Sequence, residues 1–203
     1  MARPRKDDGG VPAQQRLEDA FWAMLAEAPY REMTMGALAR RAQVNHNTFY
    51  YYFDNLDAMA AQLLDQNLVP ALPARLLAQV PAGVDLREFT DNAELMLHFR
   101  RMCLLVGPHG AAWMADRVKQ AVLEIWLTTL GLDQTDLDRA NAITLTWIIG
   151  GLIAVLGQYG QDLDPAQMGP VIQGPLGQGV LASLARLKDN QAAKPAGGAV
   201  ATR

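Results

Sequence analysis

Apolar residues recur along this chain at intervals of three and four, and no segment alternates apolar and polar positions at period two. The first predicted helix runs from about Pro12 to about Ala28, where Pro29 ends it. Leu17, Ala20, Phe21, Met24 and Leu25 fall at i, i+3, i+4, i+7 and i+8 and form one apolar stripe. Thr34 is an N-cap candidate for a short helix "MGALARRA" that turns Leu38, Ala39 and Ala42 inward. Asn45 is a second cap candidate, and Asn55 a third, opening "LDAMAAQLLDQNL" with Asp57 in its first turn. A long helix, two short ones joined by a tight turn, and a fourth leading away make the helix-turn-helix pattern.

Beyond residue 70 the spacing predicts a short helix around "ALPARLLAQV". A helix from Asp85 (capping box with Glu88) to about Val106 follows, broken at Gly107–Pro108. Further helices are expected from about Gly110 to Leu130 with Gly131 as C-terminal cap, and from Thr135 with Asp138 to about Tyr159. Asp164–Pro165 opens a short helix. Gly169, Pro170, Gly174, Pro175 and Gly177 make the next stretch irregular before a last helix of about Gln178 to Lys188. The fold class is therefore all-α. Its expected divisions are a flexible basic arm (1–11), a helix-turn-helix domain (12–54), a connecting helix (55–69), a helical regulatory and dimerisation domain (70–190) and a disordered tail (191–203).

The segment "VNHNTFYYYF", residues 44–53, carries the candidate chemistry. On a helix of 3.6 residues per turn, Phe49 and Phe53 share the core-facing side, and Asn47, Thr48 and Tyr51 lie opposite, exposed. Tyr50 and Tyr52 flank the edge, rings along the apolar seam and hydroxyls outward. Amide, hydroxyl and phenol groups of this kind bond to phosphates and base edges, and the helix start favours an anion. Taken alone, these ten residues fit a short aromatic core helix equally well.

Composition narrows the picture. The chain has 203 residues, half of them apolar, enough for one or two domains with a core. Its net charge of −3 argues against a generally basic nucleic-acid binder, so any DNA contact must come from small patches: Arg3, Arg5 and Lys6 in the arm, and the pair Arg40–Arg41. The lone Cys103 excludes an intramolecular disulfide and a cysteine zinc cluster. No secretory h-region opens the chain, and the most apolar run, the 16 residues from Ala142 to Gly157, falls short of the roughly 20 needed to span a bilayer. The expectation is a cytoplasmic protein with no membrane contact. Three histidines without an HExxH pair, and no GxSxG, P-loop or Rossmann glycines, give no catalytic or metal site and no cofactor. The chain is not read as an enzyme.

The stretch "MTMGALARRAQVNHNTFYYYFDNLDAM" resembles the DNA-binding module of the TetR family of bacterial transcription regulators. The likeness lies in the spacing of Thr34, Leu38–Ala39, Ala42, Val44, Asn45, Thr48–Phe49–Tyr50, Phe53 and Asn55, and covers roughly residues 12–67. It implies a three-helix DNA-binding head, joined by a fourth helix to a helical domain that dimerises through its last two long helices and encloses a ligand pocket. It implies a homodimer on double-stranded operator DNA, most simply a repressor, released when a small effector moves the fourth helix. Carried over by position, Asn45, His46, Asn47, Thr48 and Tyr51 are candidates for base and phosphate contact. Tyr50 and Tyr52 match backbone-contact positions, and Thr34 a phosphate contact. Three departures stand out: Gln43 where the turn commonly has glycine, His46 where a lysine is frequent, and Leu56 where another lysine follows the cap. The last two remove fixed charge near phosphates, which the basic arm is expected to offset.

In the remainder, the nearly all-round apolar helix ending at Tyr159 and the stripe Val180, Leu181, Leu184, Leu187 suit a subunit interface. Met96, Phe99, Met102, Cys103, Trp113 and Trp126 are candidates to line an adaptable apolar pocket for a neutral, lipophilic effector. The alternative reading is a helical dimeric interaction protein of the same fold that has lost ligand or DNA binding.

Overall fold

The computed structural model describes residues 11–68, 73–74, 77, 91–133, 135, 137–162, 170–171 and 173–192. Among them every regular element is helical: α1 (Ala13–Glu27), α2 (Met35–Arg41), α3 (His46–Tyr52), α4 (Leu56–Asn67), α5 (Ala93–Val106), α6 (Ala112–Leu130), α7 (Arg139–Tyr159) and α8 (Pro175–Ala192), with a 3-10 turn at Tyr30–Glu32. The arm residues Arg3, Arg5 and Lys6, the Asp85–Glu88 capping box, the Asp164–Pro165 start and residues 193–203 lie outside the described set.

Two compact units are present. The first holds residues 1–68, 98–118 and 156–161; the second holds 69–97, 119–155 and 162–203. In the first, α1, α2 and α3 pack on one another. The apolar stripe of α1 supplies Leu17, Phe21 and Leu25, none with measurable exposure, and Leu38 and Phe49 meet them from α2 and α3. Burying a side chain of this size removes apolar area worth about 1.5–3 kcal/mol, so these five residues set the geometry of the three helices. Phe49 and Phe53 face inward together, ring centroids 5.7 Å apart, as their spacing predicts.

Polar ties complete this unit. The buried Asn67 at the end of α4 donates through Nδ2 to the His98 carbonyl at 2.8 Å, and its Oδ1 lies 3.1 Å from His98 Nδ1. Asp65 accepts two bonds from Arg117, at 2.8 and 2.6 Å. His109, between α5 and α6, accepts from the Tyr30 N–H at 2.7 Å and bonds through Nδ1 to the Leu25 carbonyl at 2.9 Å. The Tyr30 hydroxyl in turn donates to Asp57 at 2.6 Å. Gly160 is required where it stands, because a Cβ there would run into Cys103 Sγ.

The second unit buries Trp126, Leu127, Leu145, Ile148, Ile149, Ile153, Leu184 and Leu187. Gly131 adopts φ 67°, and the bonds Gly131 N to Thr128 O and Leu132 N to Leu127 O close α6 in a Schellman cap, as the glycine predicts.

Several boundaries differ from those expected. The helix ending at Val106 starts at Ala93, because Asn92 accepts from the N–H groups of Glu94 and Leu95 and caps it there. Asp138, not Thr135, caps α7 by accepting from Asn141 N at 2.8 Å. Pro175 opens α8 instead of interrupting the chain, since a proline suits a first helical turn, and the helix reaches Ala192, into the segment expected to be disordered. At 21 residues α7 exceeds the apolar run read from the sequence and is long and apolar enough, by length and composition, to cross a bilayer. Leu145, Ile148, Ile149 and Ile153 are nonetheless buried within the protein along one side of it.

Candidate nucleic-acid interface

Helices α2, α3 and α4 each start on the cap the sequence predicts. Thr34 Oγ1 accepts from Ala37 N at 3.2 Å, Asn45 Oδ1 from Thr48 N at 2.8 Å, and Asn55 Oδ1 from Ala58 N at 2.7 Å. Between α2 and α3 the chain turns through Gln43, at φ 53°. Gln43 N bonds to Arg40 O and Val44 N to Ala39 O, the same Schellman geometry that glycine provides after α6. The left-handed turn is therefore made without a glycine, at a strain of about 1–2 kcal/mol. It sets the angle at which α3 leaves α2.

With Phe49 fixed inward, the remaining side chains of α3 are sorted by phase. Asn45, His46 and Asn47 are exposed, Tyr50 is half exposed, and Tyr51 is 82% exposed, the most solvent-facing large apolar side chain described. The His46 ring meets Tyr50 edge-on at 5.2 Å, and Tyr51 meets Tyr52 at 4.9 Å, so the aromatic rings brace one another along the helix surface. Tyr52 is half-buried, as an edge position predicts.

Thr48 departs from its expected exposure. It is half-buried, and its hydroxyl donates to Asn45 Oδ1 at 3.0 Å. While that bond stands, Thr48 offers lone pairs but no proton, which suits a base amino group better than a phosphate oxygen. Asn45 spends its carbonyl on the cap and keeps its amide N–H groups; Thr34 likewise keeps its hydroxyl proton. The exposed set of Thr34, Asn45, Asn47, Tyr50 and Tyr51 is thus rich in donors, the complement of an acceptor-only phosphodiester and of mixed base edges. All eight predicted contact residues lie in residues 34–52 of one three-helix unit.

The six candidate pocket residues are not gathered in this way. Phe99, Met102, Cys103 and Trp113 belong to the first unit, Met96 and Trp126 to the second. Cys103 is fully buried beside Gly160, and burial pushes its thiol up to about 12. Trp113 packs edge-on to Tyr30 at 6.4 Å, and Trp126 is buried with its indole N–H on the Pro73 carbonyl at 3.2 Å. Met96, Phe99 and Met102 are half-buried. Among the described residues no group of three or more His, Cys, Asp or Glu side chains could hold a metal ion.

Sequence reasoning missed the ties of Tyr30, Asp57, His98, Asn67 and His109. Only Tyr30, as an aromatic at the right place, and Asp57, as a first-turn acid, gave any signal. Their partners lie 27 to 84 residues away in the chain.

A family model for bacterial regulatory proteins of the tetR family matches residues 19–63. The HTH-type transcriptional regulator EthR of Mycobacterium tuberculosis, and likewise that of Mycobacterium bovis, is 29% identical over 132 residues, which are 63% of this chain and 57% of the relative. The chain thus spans little more than half the length of these curated relatives. Among solved structures, the dihydroxyacetone kinase operon activator DhaS aligns over 90% of this chain and 97% of its own at 13% identity, with a TM-score of 0.32 that carries no argument. The matched residues are those of the helix-turn-helix whose caps, turn and core have just been described, and it is on this segment that the chain is similar to the tetR family of bacterial regulatory proteins.

Proposed function

We propose that this protein is a sequence-specific DNA-binding transcriptional regulator that acts as a homodimer, with α3 as the helix that enters the major groove. The observation that carries the reading is the division of α3: Phe49 fully buried, and Asn47 and Tyr51 exposed on the other side. A core helix has no use for an 82% exposed tyrosine braced by its neighbours; a groove-reading helix does. The simplest use of such a dimer is repression by occupying a promoter, relieved by a small apolar effector that prefers the dimer with the wrong head spacing. The protein works in the cytoplasm, where its DNA is.

Support for the dimer comes from α7 and α8. Opposite its buried side, α7 exposes Ile143 (60%) and Trp147 (64%), and α8 exposes Leu176. Large apolar side chains left outward in this way call for a second surface, and a second copy supplies one.

Gel shift with the DNA flanking the protein's own gene tests the reading. Tyr51→Ala and Asn47→Ala are expected to abolish the shift and leave the melting curve within about 0.5 kcal/mol of wild type, as exposed positions do. If both variants shift DNA like wild type, α3 is not the reading helix.

A further inference from the structure

A duplex is a polyanion, yet the exposed set on α3 carries no fixed positive charge. Residues 12–67 contain four arginines and no lysine, against seven carboxylates. Two of the four arginines stand beside a carboxylate, and a third is partly enclosed by the fold. Arg16 is half-buried in α1, its Nε enclosed. Arg31 stands 3.9 Å from the carboxylate of Glu32. Arg41 is held by Glu27 through two bonds, the longer 2.6 Å, which fasten α2 to α1 and neutralise its charge.

Arg40 is different. It is exposed in the last turn of α2 and pairs with no carboxylate among the described residues. It also lies on an open face. Gly36, Arg40 and Gln43 follow at i, i+4 and i+7, all exposed, and no heavy atom lies within 4 Å of where a Gly36 Cβ would stand. This face starts near the Thr34 cap and ends at the turn into α3, two residues before Asn45. It therefore adjoins both sets of hydrogen-bond donors described above.

We propose that Arg40 is the phosphate-contacting cation of the helix-turn-helix, and that its neighbour Arg41 is a strut of the fold. The proposal rests on the DNA-binding reading. A guanidinium suits the task, because its planar fork donates two parallel bonds to a phosphate and its charge does not titrate. The adjacent arginines thus divide the work: one is spent inside the protein, and one is kept for the partner.

Because a phosphate contact is blind to sequence, the test needs no known operator. Binding of the full-length protein to fluorescein-labelled, mixed-sequence duplex DNA is followed by anisotropy across a KCl series. Arg40→Gln is expected to reduce the slope of log K against log[KCl] by about one for each chain bound, by a similar amount on every duplex. Its melting temperature should stay at the wild-type value. Arg41→Gln should keep the wild-type slope. Gly36→Arg in the Arg40→Gln background places a cation one turn away on the same open face and should restore the lost slope. The proposal is overturned if Arg40→Gln leaves the slope unchanged, or if Arg41→Gln loses as much of it. Wild-type protein that shows no salt-dependent binding to any duplex would overturn the DNA-binding reading itself, and the role of Arg40 with it.

Discussion

Within α3, neighbouring residues have opposite fates for reasons of phase alone. Phe49 is fully buried while Tyr50 is half exposed and Tyr51 almost wholly so, and helical spacing predicts this much. It does not predict that Thr48 would fold its hydroxyl back onto Asn45, because a cap that accepts two bonds is a choice of rotamer. Other residues of the first unit are committed by burial. The Tyr30 phenol is raised above its usual range, first by burial and then by its bond to the Asp57 carboxylate, and the Cys103 thiol is pushed up to about 12 by burial. Both folded-state values lie above the unfolded ones, so the folded protein holds these protons longer. Their contribution is complete below the unfolded thiol's ordinary value of 9.0 and is lost as pH rises through the folded values. Urea unfolding should therefore show lower stability at about pH 10.5 than at about pH 7.5. Equal or higher stability at the alkaline pH would contradict the burial of these two groups.

Among the elements, the turn between α2 and α3 matters most, since it aims α3, the proposed reading helix. Gln43 holds the left-handed conformation that glycine reaches without strain. Gln43→Gly should raise stability by about 0.5–1 kcal/mol, the relieved strain less the added freedom of the unfolded chain. A higher urea midpoint checks it, and an unchanged or lower one would mean that the turn is unstrained. This turn, the caps at Thr34, Asn45 and Asn55 and the stripe of α1 were all legible in the sequence, because each is set by residues within a few positions of one another. The starts of α5 and α7 were not read correctly. Asn92, which was not read as a cap, holds the start of α5, and of Thr135 and Asp138 it is Asp138 that bonds the start of α7. Composition near a helix start offers several candidates, and only the backbone path decides among them. The ties of α4 to residues 98 and 117 were illegible for a related reason, being polar contacts across more than thirty positions with no periodicity to betray them.

For the whole molecule, the sequence foretold an all-helical chain with a DNA-binding head, and the family model matches residues 19–63 within its first third. It did not foretell how the apolar residues beyond the head would be shared out. Met96 and Trp126 fall in one unit and Phe99, Met102, Cys103 and Trp113 in the other, because hydrophobicity predicts burial without naming the partner. The face of α7 that exposes Ile143 and Trp147 is the counterpart at this scale of Tyr51 in α3: apolar surface left outward, which the proposed function assigns to a partner. In the proposed dimer a second copy on that face makes two heads from one, and two heads reach successive major grooves only about one turn of DNA apart, roughly 34–36 Å. Hydroxyl-radical footprinting of the DNA flanking the protein's own gene tests this account most directly. It predicts two protected segments about one helical turn apart, both lost together in Tyr51→Ala. Uniform cleavage at protein concentrations that saturate dimer formation, or protection that survives Tyr51→Ala unchanged, would contradict it.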